Sequence, residues 1–119
     1  MRKILIIDDE TRLRESIAEL FDLYGYSVCE ACDGKDGLLK VQQFEPHLII
    51  CDVMMPILDG YGFLNEIKSS IHAEIPVILL SAKIEKSDEM KGKNHGAKAY
   101  IKKPFDFKKL KEVVDSYIL

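Results

Sequence analysis

Five short apolar runs recur along the chain, and three of them are continuous rather than alternating with polar residues. The runs occupy residues 3–7, 27–31, 47–51, 76–80 and 99–101. Continuous runs of this length are typical of strands that are buried on both faces, as in a parallel sheet covered by helices. The pattern therefore predicts five strands in one largely buried sheet.

Segments with apolar residues at spacings of three and four separate these strands and predict helices. The first runs from Leu13 to Tyr24, with Gly25 placed to end it. The third is predicted to turn Ile67 and Ile71 inward. Aspartates in N-cap positions mark where three of the helices begin: they are Asp33, Asp59 and Asp106.

The segment IEKSDEMKGKNHGAK, residues 84–98, has a weaker helical pattern. Met90 is almost its only apolar anchor, and Gly92 lowers its helix propensity. We predict a short fourth helix here, capped by Ser87, with few buried contacts and therefore low local stability. Five strands alternating with five helices predict an α/β fold, a flavodoxin-like doubly wound five-stranded parallel sheet with strand order 2-1-3-4-5.

Length and composition limit the kind of protein that this chain can be. It has 119 residues, of which 47% are hydrophobic and 31% charged, and its net charge is -3 at pH 7. These values predict one globular domain over residues 1–119 and argue against a nucleic-acid-binding surface. No apolar run is long enough to span a membrane or to act as a leader, which favours a cytoplasmic protein without membrane contact.

Three cysteines, an odd number, argue against a disulfide framework. Cys29 and Cys32 form a C-x-x-C motif, but it falls on a predicted strand, where an odd spacing sends the two side chains to opposite faces. We interpret them as small, partly buried residues; a redox pair, which would suit the start of a helix, is the alternative. Cys51 is predicted to lie in the core.

Polar residues follow four of the predicted strands at the point where each strand ends. In a parallel sheet these positions share one edge, and ligands bind there at the point where the strand order reverses. In the order 2-1-3-4-5 that point lies between the first and third strands, so carboxylates at their ends would face one another. The polar residues are Asp8, Asp9, Asp52, Ser81, Lys102 and Lys103.

Three carboxylates in one crevice repel each other unless a cation joins them. Oxygen ligands without histidine or cysteine favour Mg²⁺, and a nearby lysine and hydroxyl would complete a cage for a phosphoryl group. Asp52 is the candidate nucleophile, because it stands alone at the end of the middle strand. Taken singly, these residues have simpler interpretations: Asp9 or Glu10 as acids at a helix start, Ser81 as a turn residue, and either lysine as solvated surface.

Four motifs, ILIIDDE, DVMMPILDG, PVILLSA and AYIKKPF, occur in order along the chain. Through them the whole chain resembles a response-regulator receiver domain of two-component phosphorelay signalling. The resemblance implies that Asp52 is the phosphoacceptor and that Asp8 and Asp9 are the acidic pair that holds Mg²⁺. The direct ligands would be Asp9, Asp52 and the backbone carbonyl of Met54, while Asp8 would act mainly through water.

The same resemblance assigns roles to residues at the ends of the last two strands. Ser81 matches the hydroxyl that hydrogen-bonds the phosphoryl group, and Lys103 matches the lysine that pairs with it, with Lys102 as its outward-facing neighbour. Tyr100 matches the aromatic switch position that turns inward after Ser81 moves. The peptide bond between Lys103 and Pro104 would be cis.

The resemblance implies a signalling domain rather than an enzyme, although the domain would assist its own phosphorylation and dephosphorylation. A histidine kinase or a histidine phosphotransfer protein would supply the phosphoryl group. The phosphate would then switch the face formed by the fourth helix, fifth strand and last helix toward a downstream effector protein. A homodimer through that face is a further expectation, and a receiver-like interaction module that works without phosphate is the alternative function.

Two other classes fit the residues less well. An aspartate-nucleophile, Mg²⁺-dependent phosphatase resembles this site in chemistry, but such enzymes carry D-x-D after the first strand, whereas the acids here are adjacent. A flavin carrier of flavodoxin type needs a hydroxyl- and glycine-rich phosphate loop, which the first loop lacks. The receiver interpretation therefore accounts for more of the chain than either class.

Overall fold

The computed structural model describes residues 1–82 and 96–118, and these contain one parallel sheet with the strand order β2-β1-β3-β4-β5. The strands are β1 (Lys3–Ile7), β2 (Ser27–Ala31), β3 (Leu48–Asp52), β4 (Val77–Ser81) and β5 (Ala99–Lys102). The helices are α1 (Thr11–Leu23), α2 (Gly34–Phe44), α3 (Gly60–Lys68) and α4 (Phe107–Tyr117). The predicted fold is confirmed, with four helices in the described residues against five predicted. Most of the predicted fourth helix, residues 84–95, lies outside the described residues.

The sheet is buried on both faces, which explains why its central strands are continuously apolar. In β1, Ile4 and Ile6 pack in one core cluster with α1 and α4, while Leu5 and Ile7 pack in a second cluster with α2 and α3. All four side chains are fully buried, as are the apolar residues of β3 and β4. Removing this apolar surface from water is the main stabilising contribution to the fold.

The aspartates predicted as N-caps do cap their helices. The side chains of Asp33, Asp59 and Asp106 each accept a hydrogen bond from a backbone N–H in the first turn, at 2.8, 2.8 and 3.1 Å. Each such cap is worth about 1 kcal/mol. Local sequence therefore predicted correctly where α2, α3 and α4 begin.

The prediction that Ile71 faces inward is wrong. Helix α3 ends at Lys68, and the Ile71 side chain is 95% exposed. The Ser70 hydroxyl donates a hydrogen bond to the Ile67 carbonyl at 2.7 Å and accepts one from the backbone N–H of the residue two positions later, so it competes with continued helix.

Among the described residues, no helix combines the length and apolarity needed to cross a membrane.

The three cysteines carry free thiols. Cys51 is fully buried, as predicted. Cys29 is partly buried in β2, whereas Cys32 lies just beyond the end of that strand and is exposed. The interpretation as a small, partly buried strand residue therefore holds for Cys29 and is wrong for Cys32.

Ile57, in the loop between β3 and α3, has a φ of 71°, in the left-handed region that β-branched residues rarely adopt. Its side chain is 78% exposed, so little packing holds it there. We expect Ile57→Asn to raise the free energy of unfolding by about 0.5–1 kcal/mol, because asparagine tolerates this backbone conformation. Urea denaturation measures the change. Ile71→Asn is the control, since Ile71 is also exposed but has no positive φ, and an equal gain in that variant would contradict the explanation.

Candidate functional site

The carboxyl ends of β1 and β3 bring three carboxylates together. Single oxygen atoms of Asp8, Asp9 and Asp52 lie within 4.8 Å of one another. Asp8 is fully buried and Asp52 is 5% exposed, whereas Asp9 is exposed to solvent. The two strands are neighbours in the sheet, so the reversal of strand order between them forms an acidic cleft at this edge.

Lys103 reaches into the cleft from the residue after β5. Its Nζ lies 3.0 Å from Asp8 Oδ2 and 3.1 Å from Asp52 Oδ1, with Glu10 Oε1 farther away at 3.6 Å. Burial by itself disfavours the lysine cation, but the hydrogen bonds and charges of the two buried aspartates outweigh it, so the pKa of Lys103 is raised. The lysine therefore stays protonated and holds the two strand ends together.

The cleft alters the protonation of the Asp52 carboxyl. Burial and the neighbouring charge of Asp8 raise the pKa of Asp52 to about 6, against the opposing effect of Lys103. The cleft without a divalent cation thus carries more negative charge than one lysine balances. An added cation would favour the ionised form of Asp52.

We expect Asp52→Asn to stabilise the metal-free domain by about 1–2 kcal/mol at about pH 8 and by about half as much at about pH 5. A folded-state pKa raised to about 6 makes the Asp52 contribution most favourable at low pH and progressively lost as the pH rises through 6. Urea denaturation in the presence of a chelator measures the difference. Asp59→Asn is the control, since Asp59 is exposed and asparagine preserves its cap; an equal gain at both pH values would contradict the assignment.

Asp8 is held at each of its polar groups. Its backbone N–H donates to the Ala31 carbonyl at 3.1 Å, and its Oδ1 accepts from the Glu10 N–H at 2.9 Å. Its carbonyl accepts a hydrogen bond from Arg14 Nη1 at 2.8 Å, and the same guanidinium donates through Nε to Glu30 at 3.0 Å. Sequence reasoning missed Arg14, because the helical pattern marks it only as a polar residue of α1.

Ser81 and Tyr100 lie on adjacent strands beside the cleft. Ser81 is buried at the end of β4, and its carbonyl accepts a hydrogen bond from the Lys103 backbone N–H at 2.7 Å. Tyr100 is partly buried in β5, and its hydroxyl lies 3.0 Å from the Tyr61 hydroxyl of α3. Sequence reasoning also missed Tyr61, because its partner is 39 residues away and in a different element.

The remaining residues named from the sequence lie at the rim of the cleft. Lys102 is exposed, in agreement with its expected outward direction, and the peptide bond between Lys103 and Pro104 is cis. The Met54 side chain is 73% exposed, just past Asp52. Only the backbone of Met54, not its side chain, is therefore a candidate part of the site.

The groups in the cleft suit two kinds of ligand. Three carboxylates close together are a donor set for a hard divalent cation, which takes oxygen ligands and leaves positions for water. The Lys103 cation beside them suits an anionic group such as phosphoryl. A metal and a phosphoryl group could therefore be held side by side at the end of β3.

Comparison with known proteins identifies the family. A family model for the response regulator receiver domain matches residues 4–115, so the chain belongs to this family of signalling domains. The chemotaxis protein CheY4 of Vibrio cholerae has a similar structure, with a TM-score of 0.93, 29% identity and 98% of each chain covered. The receiver domain of the Francisella response regulator 1452 is also similar, with a TM-score of 0.93, 30% identity and coverage of 99% of this chain and 97% of that one.

Two relatives show how much of a longer protein the chain can match. A probable transcriptional regulator ycf27 from Porphyridium aerugineum is 38% identical over 116 residues, which are 98% of this chain and 48% of that protein. Protein PilG from Pseudomonas aeruginosa is 36% identical over 117 residues, which are 98% of this chain and 87% of PilG. The chain thus spans about half the length of the first relative.

Proposed function

We propose that residues 1–119 form a receiver domain of a two-component system that accepts a phosphoryl group on Asp52. The observation that carries the proposal is the position of this carboxylate, 3.1 Å from Lys103 Nζ and within 4.8 Å of two further acids at the end of β3. Membership of the receiver family supports it. The donor would be a phosphohistidine on a histidine kinase or a histidine phosphotransfer protein.

The residues of the cleft have distinct roles in the proposed transfer. An oxygen of Asp52 forms the new bond to phosphorus while the bond from phosphorus to the histidine nitrogen breaks, with the two in line. A pKa of about 6 leaves the Asp52 carboxylate mostly ionised at neutral pH and therefore nucleophilic. Lys103 donates to one phosphoryl oxygen and the Ser81 hydroxyl to another, which stabilises the charge on the group being transferred.

Mg²⁺ is the cofactor that we propose for the cleft. Asp9, Asp52 and the backbone carbonyl of Met54 would hold it directly, with Asp8 acting through water. When bound, the ion supplies positive charge against the phosphoryl oxygens. The support for this ion is the chemistry of the donors, which are oxygen atoms of three clustered carboxylates.

We further propose that phosphorylation switches an output surface through Ser81 and Tyr100. Ser81 ends β4 next to the cleft, and Tyr100 lies in the neighbouring β5, which leads into α4. The output surface would comprise β5, α4 and the segment predicted as the fourth helix, residues 84–98, and would bind a downstream effector or a second copy of the chain. Backbone amide shifts of residues 83–100, compared with and without beryllofluoride as a phosphoryl mimic, test this switch; unchanged shifts in a chain that binds the mimic would reject it.

The contact between Tyr61 and Tyr100 leads to a separate prediction about the switch. We expect Tyr61→Phe to lower the population of the observed Tyr100 rotamer about fivefold relative to its alternatives, because one neutral hydrogen bond is worth about 1 kcal/mol. Side-chain scalar couplings of Tyr100 report the rotamer populations. Tyr24→Phe is the control, because Tyr24 is an exposed tyrosine just after the end of α1. Couplings that are the same in Tyr61→Phe and the native chain would contradict the prediction.

Intact-mass measurement after incubation with acetyl phosphate tests the proposed function most directly. We expect one phosphoryl adduct that requires Mg²⁺, disappears with a chelator and is absent in Asp52→Asn. Asp59→Asn is the matched control, since it removes an exposed carboxylate seven residues further along the chain and preserves the cap. This variant should be labelled like the native chain.

Other outcomes of the same experiment point to other functions. No adduct in the native chain, under conditions that label a known receiver, would reject phosphoacceptance and favour the phosphate-independent interaction module. An adduct that persists in Asp52→Asn would place the phosphoacceptor elsewhere. Steady turnover of a generic phosphomonoester would instead favour the phosphatase class.

A further inference from the structure

Arg14 connects three elements beneath the acidic cleft. It projects from α1, donates through Nη1 to the backbone carbonyl of Asp8 at the end of β1 and donates through Nε to Glu30 in β2. The Arg14 side chain is only 13% exposed, whereas that of Glu30 is 37% exposed. The guanidinium is thus largely covered by protein and is held by two acceptors, one in the residue that follows β1 and one in β2.

The hydrogen bond to the Asp8 carbonyl acts on both residues of the acidic pair. The peptide unit that contains this carbonyl also contains the backbone N–H of Asp9, and the unit is planar. Fixing its oxygen therefore fixes the orientation of the plane that joins the two α-carbons. The directions in which the Asp8 and Asp9 carboxylates leave the backbone depend on that orientation.

The guanidinium is well suited to hold this plane. Its donors are arranged in a rigid planar fork, so one side chain can bond a carbonyl and a carboxylate at once without losing its orientation. The Glu30 carboxylate balances its charge, which lowers the cost of covering the cation. A lysine, with one flexible ammonium group, cannot reproduce this arrangement.

We propose that Arg14 is a positioning residue for the cation site. Because it bonds both the Asp8 carbonyl and Glu30, it keeps the side chains of Asp8 and Asp9 directed into the cleft. This inference rests on the proposed function, because the proposed function includes a divalent cation bound by the acidic pair. Arg14 itself does not touch the cation or the phosphoryl group. Its effect is on cation affinity and not on the chemistry of transfer.

Titration with Mg²⁺ alone, followed by backbone amide shifts and without a phosphodonor, tests the proposal. We expect Arg14→Gln to raise the Mg²⁺ concentration at half-saturation about tenfold, as for loss of a residue that orients metal ligands. Arg14→Lys should give an intermediate shift. Arg12→Gln, an exposed arginine on the same helix, should bind Mg²⁺ like the native chain.

The thermal midpoint separates positioning from a purely structural role. If Arg14→Gln lowers the midpoint but leaves Mg²⁺ half-saturation unchanged, the positioning role is wrong. If Arg14→Gln does not fold, Glu30→Ala provides the second test, because it removes the other anchor of the guanidinium and Glu30 is not one of the proposed cation ligands. An unchanged half-saturation in Glu30→Ala would then overturn the proposal, and a severalfold rise would support it.

The native chain distinguishes failure of this inference from failure of the proposed function. If the native chain binds Mg²⁺ and is labelled on Asp52, but Arg14→Gln has native Mg²⁺ affinity, only the positioning role is overturned. If the native chain neither binds Mg²⁺ nor is labelled, the proposed function fails and this inference fails with it.

Discussion

We expect Lys103→Met to lower the free energy of unfolding of the metal-free domain by about 3 kcal/mol. The Nζ of Lys103 lies 3.0 Å from the fully buried Asp8 and 3.1 Å from Asp52, and only 11% of the lysine side chain is exposed. Removing the cation leaves two covered carboxylates facing each other without compensation, while the methionine preserves most of the packing of the stem. Urea denaturation with a chelator measures the loss.

Lys102→Met is the matched control for this prediction. The side chain of Lys102 is exposed one residue earlier in the chain, so its replacement should change stability by less than about 0.5 kcal/mol. We also expect Mg²⁺ to stabilise Lys103→Met more than it stabilises the native chain, because a bound cation replaces the missing charge. Equal losses in the two lysine variants would show that the cleft does not depend on this ion pair.

The effect of Lys103→Met should also depend on pH. The pKa of Asp52 is already raised to about 6 in the native chain, and loss of the neighbouring cation raises it further. Protonation of Asp52 relieves the repulsion, so the loss of stability should be largest at about pH 8 and smaller at about pH 5. A loss that is the same at both pH values would contradict an electrostatic origin.

We expect Gly60→Ala to lower the free energy of unfolding by about 2–3 kcal/mol and to weaken Mg²⁺ binding. A Cβ at this position would lie 2.4 Å from the Asp52 carbonyl oxygen and 2.8 Å from the Val53 Cα, both backbone atoms that cannot swing aside. The Gly60 N–H also donates to the Val53 carbonyl at 2.8 Å. Relief of the clash must therefore move the end of β3, which carries Asp52.

Gly62→Ala separates this clash from a general effect of alanine in the same helix. A Cβ at Gly62 would meet mainly the Leu58 Cδ1, at 2.6 Å, which is the flexible end of a side chain. Alanine also has a higher helix propensity than glycine, so the net change should stay within about 1 kcal/mol. Thermal melts and Mg²⁺ titrations of the two variants should diverge, and similar values in both would reject the role of the close contact at Gly60.

Much of the fold was predictable because its signals are local. Continuous apolar runs indicated strands buried on both faces, and aspartates such as Asp33 and Asp59 marked helix starts through hydrogen bonds within a single turn. The prediction that Ile71 faces inward failed because it relied on apolar spacing alone. The apolar spacing extends past Lys68, but the helix ends there, and the hydrogen bonds of the Ser70 hydroxyl to the backbone compete with its continuation.

The candidate site was predictable as a set of residues but not as a geometry. Polar residues that end strands of one parallel sheet must share an edge, so Asp8, Asp9 and Asp52 could be grouped from the sequence once the strand order was inferred. Which oxygen Lys103 approaches could not be inferred. It depends on the register between β4 and β5 and on the hydrogen bond from its own N–H to the Ser81 carbonyl.

The class of fold, the starts of three helices and the membership of the acidic cleft were predictable from the amino-acid sequence, because each depends on spacing along the chain or on a rule for parallel sheets. The side chains that orient the cleft could be identified only from contacts between distant elements. Arg14 meets Glu30 across 16 residues, Tyr61 meets Tyr100 across 39, and the close approach at Gly60 depends on the path of the β3–α3 loop. Such contacts join elements whose relative placement follows from packing of the whole core, so no local pattern encodes them.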